Sequence, residues 1–199
     1  AIGILLLLLW LALHTACGEE PKVETRDVVL PVPVHAPAEA ITIGTGEVNG
    51  AYYAMGDAIA AVLNKKQTVY HLHCAVASTG GSLLNVNAVM AGDLQFGLAR
   101  SDWNDQASKG IGLWKDRGPQ KDLRSVFSLP FDGMITLITS AQVPEQIVYN
   151  FTKAVFENLA KLQDLHPAFA GVTAKRMLEG LSAPIHPGAL KYYHEAGLM

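Results

Sequence analysis

The segment ITIGTGEVNGAYYAMGDAIAAVL, residues 41–63, decides the fold of this chain. Its β-branched start, 41–43, predicts a short strand that ends at the glycine-rich turn 44–50. After this turn, apolar residues recur every three or four positions, which is the spacing of an amphipathic helix. The segment therefore predicts one strand, one turn and one helix in that order.

The same order of elements follows twice more along the chain. The run TVYHLHCAV (68–76) leads into STGGS (78–82) and an apolar helical pattern, and LQFGLA (94–99) leads into RSD (100–102) and a second helical pattern. Three consecutive strand–turn–helix units are typical of a parallel α/β sheet. In such sheets ligands bind outside the carboxyl ends of the strands, where these turns are expected.

The turns contain residue types that suit a small anion. Their glycines let a ligand approach the backbone, and each turn precedes a helix N-terminus, where unpaired N–H groups favour negative charge. Short hydroxyls and one carboxylate occur at the same corners; these residues are Thr45, Ser78, Thr79, Ser82, Ser101 and Asp102. The alternative interpretation is that these side chains only cap helices. Three such turns together favour a shared polar pocket.

The composition narrows the functional classes. The chain has 199 residues, half of them apolar, and a formal charge of −3. Without basic runs, it does not have the composition of a nucleic-acid-binding protein. Two cysteines cannot build a disulfide framework, and Cys74, in a strand-like run, is expected to be a small buried residue.

Residues 1–17 are interpreted as an export signal. The apolar run 2–13 has the length of a signal-peptide core and is too short for a stable membrane anchor. The sequence HTACG around Cys17 resembles a bacterial lipobox, although His14 stands where an aliphatic residue is usual. Two outcomes stay open, a lipid anchor on Cys17 or ordinary cleavage and release. Either outcome places the protein in the periplasm or another extracytoplasmic space.

The remaining chain divides into a linker and one domain. Residues 18–40 carry several prolines and predict an extended, semi-rigid spacer. Residues 41–199 are predicted to form one α/β lobe, with further strands at 123–129 and 134–139 and helices from 144 onward. A short helix is expected around 174–179, and a last one after Pro187.

The sequence favours neither catalysis nor metal binding. No G-x-S-x-G motif surrounds Ser78 or Ser82, and no histidine is tied to either serine by spacing. His71, His73 and Cys74 form the run H-L-H-C, but alternation along a strand puts the histidines on one face and the cysteine on the other. We predict neither an enzyme nor a metal site, and no cofactor.

Three motifs in this order resemble the TAXI family, the extracytoplasmic solute receptors of tripartite ATP-independent periplasmic (TRAP) transporters. The motifs are GTG…GxYY at 44–53, STGGSxxN at 78–85 and SDW at 101–103. Further similar segments are KDLRSVFSL at 121–129 and, later, VPEQIVYNFTKAVFENL, LHPAF and GLSAPIHPGALKYYHEAGL. The resemblance covers most of the chain after residue 40.

The resemblance implies a fold and a function. The expected fold is a type II periplasmic-binding-protein fold, in which two α/β lobes close on a small organic anion such as glutamate or another carboxylate. The expected partners are the TRAP membrane permease subunits, which receive the ligand. Carried over by position, the implied ligand-binding residues are Thr45, Gly46, Tyr53, Ser78, Thr79, Ser82, Asn85, Ser101 and Asp102. Of the tyrosine pair 52 and 53, we expect Tyr53 to face the pocket.

The chain departs from the family pattern at two places. The family usually has Gln at the position of Arg100. An arginine offers a planar charged fork for a carboxylate, and Arg100 is therefore added to the expected ligand-binding set. The alternatives are that Arg100 pairs with Asp102 or points to solvent.

The second departure concerns length. TAXI receptors are substantially longer, and their second lobe is expected where residues 136–140 here run almost directly into 141–144. We therefore expect that the second lobe is deleted here and that affinity is weak, because small-molecule sites normally bury most of their ligand. The alternative is a non-functional remnant, or a lobe that only docks on a partner.

Overall fold

A five-stranded sheet forms the centre of residues 38–199, the part of the chain that the computed structural model describes. The strands are β1 (Glu39–Gly44), β2 (Leu72–Ala77), β3 (Phe96–Arg100), β4 (Leu123–Leu129) and β5 (Ile135–Ser140). The α-helices are α1 (Ala51–Lys65), α2 (Gln67–Tyr70), α3 (Ser82–Ala91), α4 (Ser101–Lys109), α5 (Glu145–Glu157), α6 (Leu159–Leu165) and α7 (Pro187–Glu195). Short 3-10 turns lie at Gly112–Trp114, Pro167–Phe169 and Arg176–Leu178.

The sheet has the strand order β2-β1-β3-β5-β4. Strands β2, β1 and β3 are mutually parallel, whereas β5 is antiparallel to both of its neighbours. Four of the five strands therefore run in the same direction, and the sheet is mostly parallel. The chain goes from β1 outward to β2 and then returns past β1 to β3, so the order reverses between β1 and β3. That reversal is the switch point at which α/β sheets form clefts.

Helices cover both faces of the sheet. On one face, α1, α5, α6 and α7 pack on Ile43, Phe96 and Leu137. On the other face, α3 and α4 pack on Ala99 and Ile138. Adjacent strand residues point to opposite faces, and β3, β4 and β5 are buried at nearly every position, as expected for a sheet covered on both sides. The predicted α/β fold class is confirmed.

Aromatic side chains join the C-terminal helices to the sheet. The ring of Phe151 in α5 stacks on Phe96 in β3, with ring centroids 4.1 Å apart. In α7, the buried Tyr193 hydroxyl donates a 2.6 Å hydrogen bond to the Val126 carbonyl of β4. Because a buried hydroxyl needs a partner, this bond fixes how α7 lies against the sheet edge.

The single helix predicted from 144 to His166 is divided at Asn158 into α5 and α6, and two further predicted elements differ from the structure. Residues 68–70 were expected to begin a strand, but they form α2, and β2 begins only at Leu72. Tyr70 causes the difference, because its buried ring and its hydroxyl, 3.0 Å from a Glu157 carboxylate oxygen, hold this turn against α5. The helix expected at 174–179 is only the 3-10 turn Arg176–Leu178. The predicted export signal, linker and Cys17 lipidation site lie outside the described residues.

Candidate functional site

The three predicted turns meet at one edge of the sheet. They follow the carboxyl ends of β1, β2 and β3, which are neighbours in the sheet. The first turn spans 45–50, the second spans 78–81, and the third is the direct junction of β3 with α4 at residues 100–101. The candidate site therefore lies at the switch point, as the order of elements predicts.

The first two turns are bonded directly to each other. Thr45 donates to the Ala77 carbonyl through both its backbone N–H (3.0 Å) and its hydroxyl (2.7 Å). The Gly46 carbonyl accepts from the Ser78 hydroxyl (3.0 Å) and from the Thr79 backbone N–H (3.2 Å). These bonds fix the two turns as one unit.

Asn85 ties the first two turns to β3 from beneath. This residue is fully buried in α3, and its Nδ2 donates to the carbonyls of Thr45 and Leu98, both at 2.7 Å. Its Oδ1 lies 2.6 Å from the Thr79 hydroxyl, which in turn accepts from the Gly81 N–H. Thr45 is buried as completely as Asn85. Both side chains therefore position the turns, and neither is exposed to a solute.

The third turn is also hydrogen-bonded to residues of neighbouring elements. The Arg100 N–H donates to Ser82 Oγ (3.0 Å), and the Ser101 N–H donates to the Met134 carbonyl (2.9 Å). The Ser101 and Thr136 hydroxyls lie 2.7 Å apart. These backbone groups already have protein acceptors, so an anion at this edge depends on side chains more than the sequence suggested.

Exposed charges surround a small pocket beside the third turn. The pocket has a volume of about 280 Å³ and is lined by Arg100, Ser101, Asp102, Asp132, Gly133 and Met134. Arg100 forms a two-point contact with Asp102, Nε to Oδ1 at 3.0 Å and Nη2 to Oδ2 at 2.9 Å. The Asp102 carboxylate raises the pKa of Arg100 through these bonds, so the guanidinium stays charged. Of the alternatives for Arg100, the structure shows the pair with Asp102.

Tyr52, rather than Tyr53, lies beside these charges. Burial raises the pKa of Tyr52, while the neighbouring Ser82 hydroxyl and the Arg100 charge lower it. Its ring packs against Gly46, where an added Cβ would stand 3.3 Å from Tyr52 Cβ. Tyr53 is half-buried one position further along α1. Of the pair, Tyr52 is therefore the tyrosine that lies beside Ser82 and Arg100, and a ligand contact by Tyr53 stays a prediction.

Sequence reasoning missed Asp132 as well. This residue lies in the loop 130–134 that joins β4 to β5, with a positive φ of 45° followed by Gly133 at 93°. An Asp-Gly pair between two predicted strands is a turn signal, and Asp tolerates this left-handed conformation better than most residues. The signal was present, because β4 runs parallel to β1 and its carboxyl end must reach the same edge.

Two larger pockets lie at the opposite edge of the sheet. Each has a volume of about 500 Å³ and is lined in part by Glu39, Pro144 and Ile147. Their walls carry fewer charges than the smaller pocket does. They adjoin the amino end of β1, where no predicted site residue lies.

The histidine and the cysteine of β2 point to opposite faces of the strand. His73 is exposed and Cys74 is buried, as strand alternation predicts. Burial raises the pKa of the Cys74 thiol to about 12, so the thiol is neutral. Within residues 38–199, no group of three or more metal-binding side chains comes together.

The helices of residues 38–199 are also too short or too polar to cross a bilayer.

A family model, the NMT1-like family, matches residues 43–135 and 133–197. The two matched segments include every strand from Ile43 onward and all three turns of the candidate site, and they cover well over half of the chain. The chain therefore belongs to the NMT1-like family, a family of periplasmic solute-binding proteins.

Proposed function

We propose that the protein is an extracytoplasmic receptor that binds a small organic anion, such as glutamate or another carboxylate, without catalysing a reaction. The observation that carries this proposal is the charged pocket beside the third turn, at the edge of the sheet where all three turns lie. Membership of a solute-binding family supports a small-molecule ligand and a membrane transporter as partners. The TAXI-like motifs support the narrower assignment to a TRAP permease.

The ten candidate ligand-binding residues divide into two groups by their surroundings. Arg100, Ser101 and Asp102 line the pocket, and Ser78 is exposed in the second turn at the same edge of the sheet. We propose that these four residues and Ser82 contact the ligand. Ser82 lies beside Tyr52. The proposed role of the other five is to hold the turns or pack beside them; these are Thr45, Gly46, Tyr53, Thr79 and Asn85.

Arg100 is the central residue of this proposal. A guanidinium has five N–H groups, of which the contact with Asp102 uses two on the Nε side. The Nη1 side remains able to bind a ligand carboxylate in the planar two-point geometry that arginine favours. Arg100 can therefore bind a ligand without first losing Asp102.

Export and anchoring form the second part of the proposal. Residues 1–17 would direct the chain across the inner membrane, and a lipid on Cys17 would tether it through the linker 18–40. A tether of this kind keeps a receptor close to its permease. Mass spectrometry of the mature N-terminus tests this part, because a chain that begins with a lipidated Cys17 is heavier than an unlipidated one by the mass of the lipid.

A second lobe, if it has been lost, is best placed at loop 130–134. The two segments matched by the family model meet at 133–135, where this loop ends. The sequence suggested 140–144 instead, but β5 is antiparallel and carries that segment to the edge opposite the site. A lobe attached there could not close over Arg100. A lobe attached at 130–134 would emerge beside it.

Calorimetry tests the proposed function. We expect the purified chain to bind L-glutamate or a related carboxylate with millimolar affinity, weak because one lobe leaves much of the ligand exposed. Arg100→Ala should abolish the heat of binding. The matched control is Arg117→Ala, because Arg117 is equally exposed but donates to Asn87 outside the pocket.

Other outcomes would favour the alternatives. A folded, monomeric chain that binds no carboxylate would contradict the proposal and favour a non-functional remnant. A chain that self-associates in light scattering, without binding a solute, would favour a lobe that docks on a partner. Val48 and Leu84, both more than half exposed near the turns, would be the first residues to test in that case.

A further inference from the structure

The two larger cavities adjoin each other at the amino edge of the sheet. Each has a volume of about 500 Å³, and Glu39, Pro144 and Ile147 line both of them. We call the pair the amino-edge groove. Cavities of this size are typical of small-molecule sites. The proposed function leaves this groove without an occupant.

The amino-edge groove is electrically negative. The one carboxylate in its lining belongs to Glu39, which is exposed and forms no salt bridge with any residue between 38 and 199. No lysine or arginine of the same part of the chain lines either cavity. Two residues that directly follow lining positions are also acidic, Asp93 and Glu145.

The end of α3 adds backbone acceptors to the same groove. The N–H groups of residues 92–94 bond to the carbonyls of Ala88 and Val89. The carbonyls of Met90 and Ala91 therefore receive no hydrogen bond from residues 38–199. Met90 and Ala91 line the first cavity, and the last carbonyls of a helix carry partial negative charge. This end of the groove therefore favours a cation.

The beginning of α5 forms another wall of the groove. The N–H groups at the start of a helix favour an anion when no acidic side chain accompanies them. Here the first turn of α5 contains Glu145, and the Ile147 N–H is bonded to the Pro144 carbonyl at 3.0 Å. The Glu145 carboxylate offsets the positive end of the helix dipole. This wall therefore does not reverse the negative charge of the groove.

We infer that the amino-edge groove binds a small organic ammonium ion, with the charge beside Glu39 and the apolar part on Val89, Met90 and Leu94. A primary ammonium has three N–H donors, which suit a carboxylate together with unpaired carbonyls. A quaternary ammonium has none, and no phenylalanine, tyrosine or tryptophan of residues 38–199 lines the groove to bind it by its ring. This site lies at the edge opposite the proposed carboxylate pocket and does not depend on it.

NMR titration of the purified, ¹⁵N-labelled chain tests the inference with three probes of similar shape. The probes are benzylammonium, benzyl alcohol and benzoate. We expect benzylammonium to bind about fivefold more tightly than benzyl alcohol, the upper range for one exposed ion pair, and benzoate to bind this edge more weakly than the alcohol. Benzylammonium should shift the amide signals of Gly92, Gln95 and Gln142, and leave those of Ser101 and Gly133 in place.

The variant Glu39→Gln removes the charge and keeps the size of the side chain. It also keeps the backbone bond from residue 39 to the His71 carbonyl, so β1 stays paired. The preference for benzylammonium over benzyl alcohol should disappear in this variant, while the affinity for the alcohol stays the same. Asp116→Asn, at an exposed aspartate outside the groove, is the matched control and should keep the preference.

Four results would overturn the inference. Equal affinity for benzylammonium and benzyl alcohol, or an unchanged preference in Glu39→Gln, would show that Glu39 binds no cation. Shifts confined to Ser101 and Gly133 would place the ammonium ion at the carboxyl edge instead. No shift with any probe would show that the groove holds only water. None of these results decides whether the chain binds carboxylates, which Arg100→Ala tests separately.

Discussion

The two edges of the sheet carry cavities of opposite character. At the amino edge each cavity is about 500 Å³, nearly twice the volume of the one at the carboxyl edge, and Met90, Leu94 and Ile147 are among the residues that line the first. At the carboxyl edge the cavity is smaller, but Arg100 and Asp102 face it. Strand direction explains why the polar residues collect at that edge, because three parallel strands end there and each is followed by a helix. Volume alone would select the amino edge, where no predicted site residue lies.

The edges also differ in how β1 is connected to β3. At the carboxyl edge the connection is the buried Asn85, whose amide bonds carbonyls of both chain segments. At the amino edge it is Gln95, a half-buried residue whose Oε1 accepts from the Thr42 N–H at 2.9 Å. The two amide side chains therefore both link β1 to β3, but Asn85 is fully buried and Gln95 is half-buried. The free energy of unfolding of variants at the two positions measures the effect of this difference in burial.

The largest expected effect is on Asn85. In Asn85→Ala, the carbonyls of Thr45 and Leu98 and the Thr79 hydroxyl each lose one hydrogen bond, and only the bond from the Thr79 hydroxyl to the Thr45 carbonyl (2.9 Å) remains among these groups. We expect the free energy of unfolding to fall by about 3 kcal/mol. Gln95→Ala exposes one partly hydrated N–H and should cost only about 1 kcal/mol. Urea unfolding of both variants tests the comparison. Equal losses would show that burial does not separate the two edges.

The sequence predicted the carboxyl edge well because its signals are local. Each strand, turn and helix follows its neighbour within a few residues, as in 41–63, and strand direction then brings the turns together. The structure has the three preceding strands side by side and in parallel, so that their turns lie at one edge. The family pattern also pointed to Asn85, although as a ligand contact rather than as the buried tie between turns.

What the sequence could not show depends on distant contacts. Asn85 bonds a residue 40 positions away, so its burial has no local signal. Tyr70 turns a predicted strand start into a helical turn through a bond to Glu157, 87 positions away. The choice between Tyr52 and Tyr53 depends on where Ser82 and Arg100 lie relative to α1. In each case the deciding atoms belong to another element.

A smaller effect, and one that depends on pH, is expected near the amino edge. His186 is buried, with its Nε2 3.1 Å from the Val143 carbonyl and its Nδ1 accepting from the Gly188 N–H. Burial lowers the pKa of His186; Arg124 lowers it further, and the Val143 carbonyl and Glu145 partly oppose this. The folded protein thus disfavours the protonated ring. Stability should be full above the ordinary pKa of about 6.5 and should fall as pH drops through the lower folded value.

The variant His186→Asn tests this sign. Asn can cap α7 as histidine does, but it does not titrate. We expect the loss of unfolding free energy between about pH 7.5 and pH 5 to be smaller in the variant than in the wild type. Some loss should remain, because burial also lowers the pKa of His166. An identical pH dependence in both proteins would show that His186 is not the titrating group.

The smallest effect on stability is expected where the effect on binding is largest. The Arg100–Asp102 pair is exposed, with 58% and 50% of the two side chains accessible. Exposed ion pairs contribute little to folding, because water screens them and ordering two side chains costs entropy. Arg100→Ala should therefore leave the urea midpoint unchanged while removing carboxylate binding. A midpoint lowered as far as that of Gln95→Ala would mean that the pair serves the fold. In that case Arg100 would be assigned a structural role. Among the described residues, Arg100 is the only positively charged residue that lines this pocket, so there would be no reason to place an anion at the carboxyl edge rather than at the opposite edge.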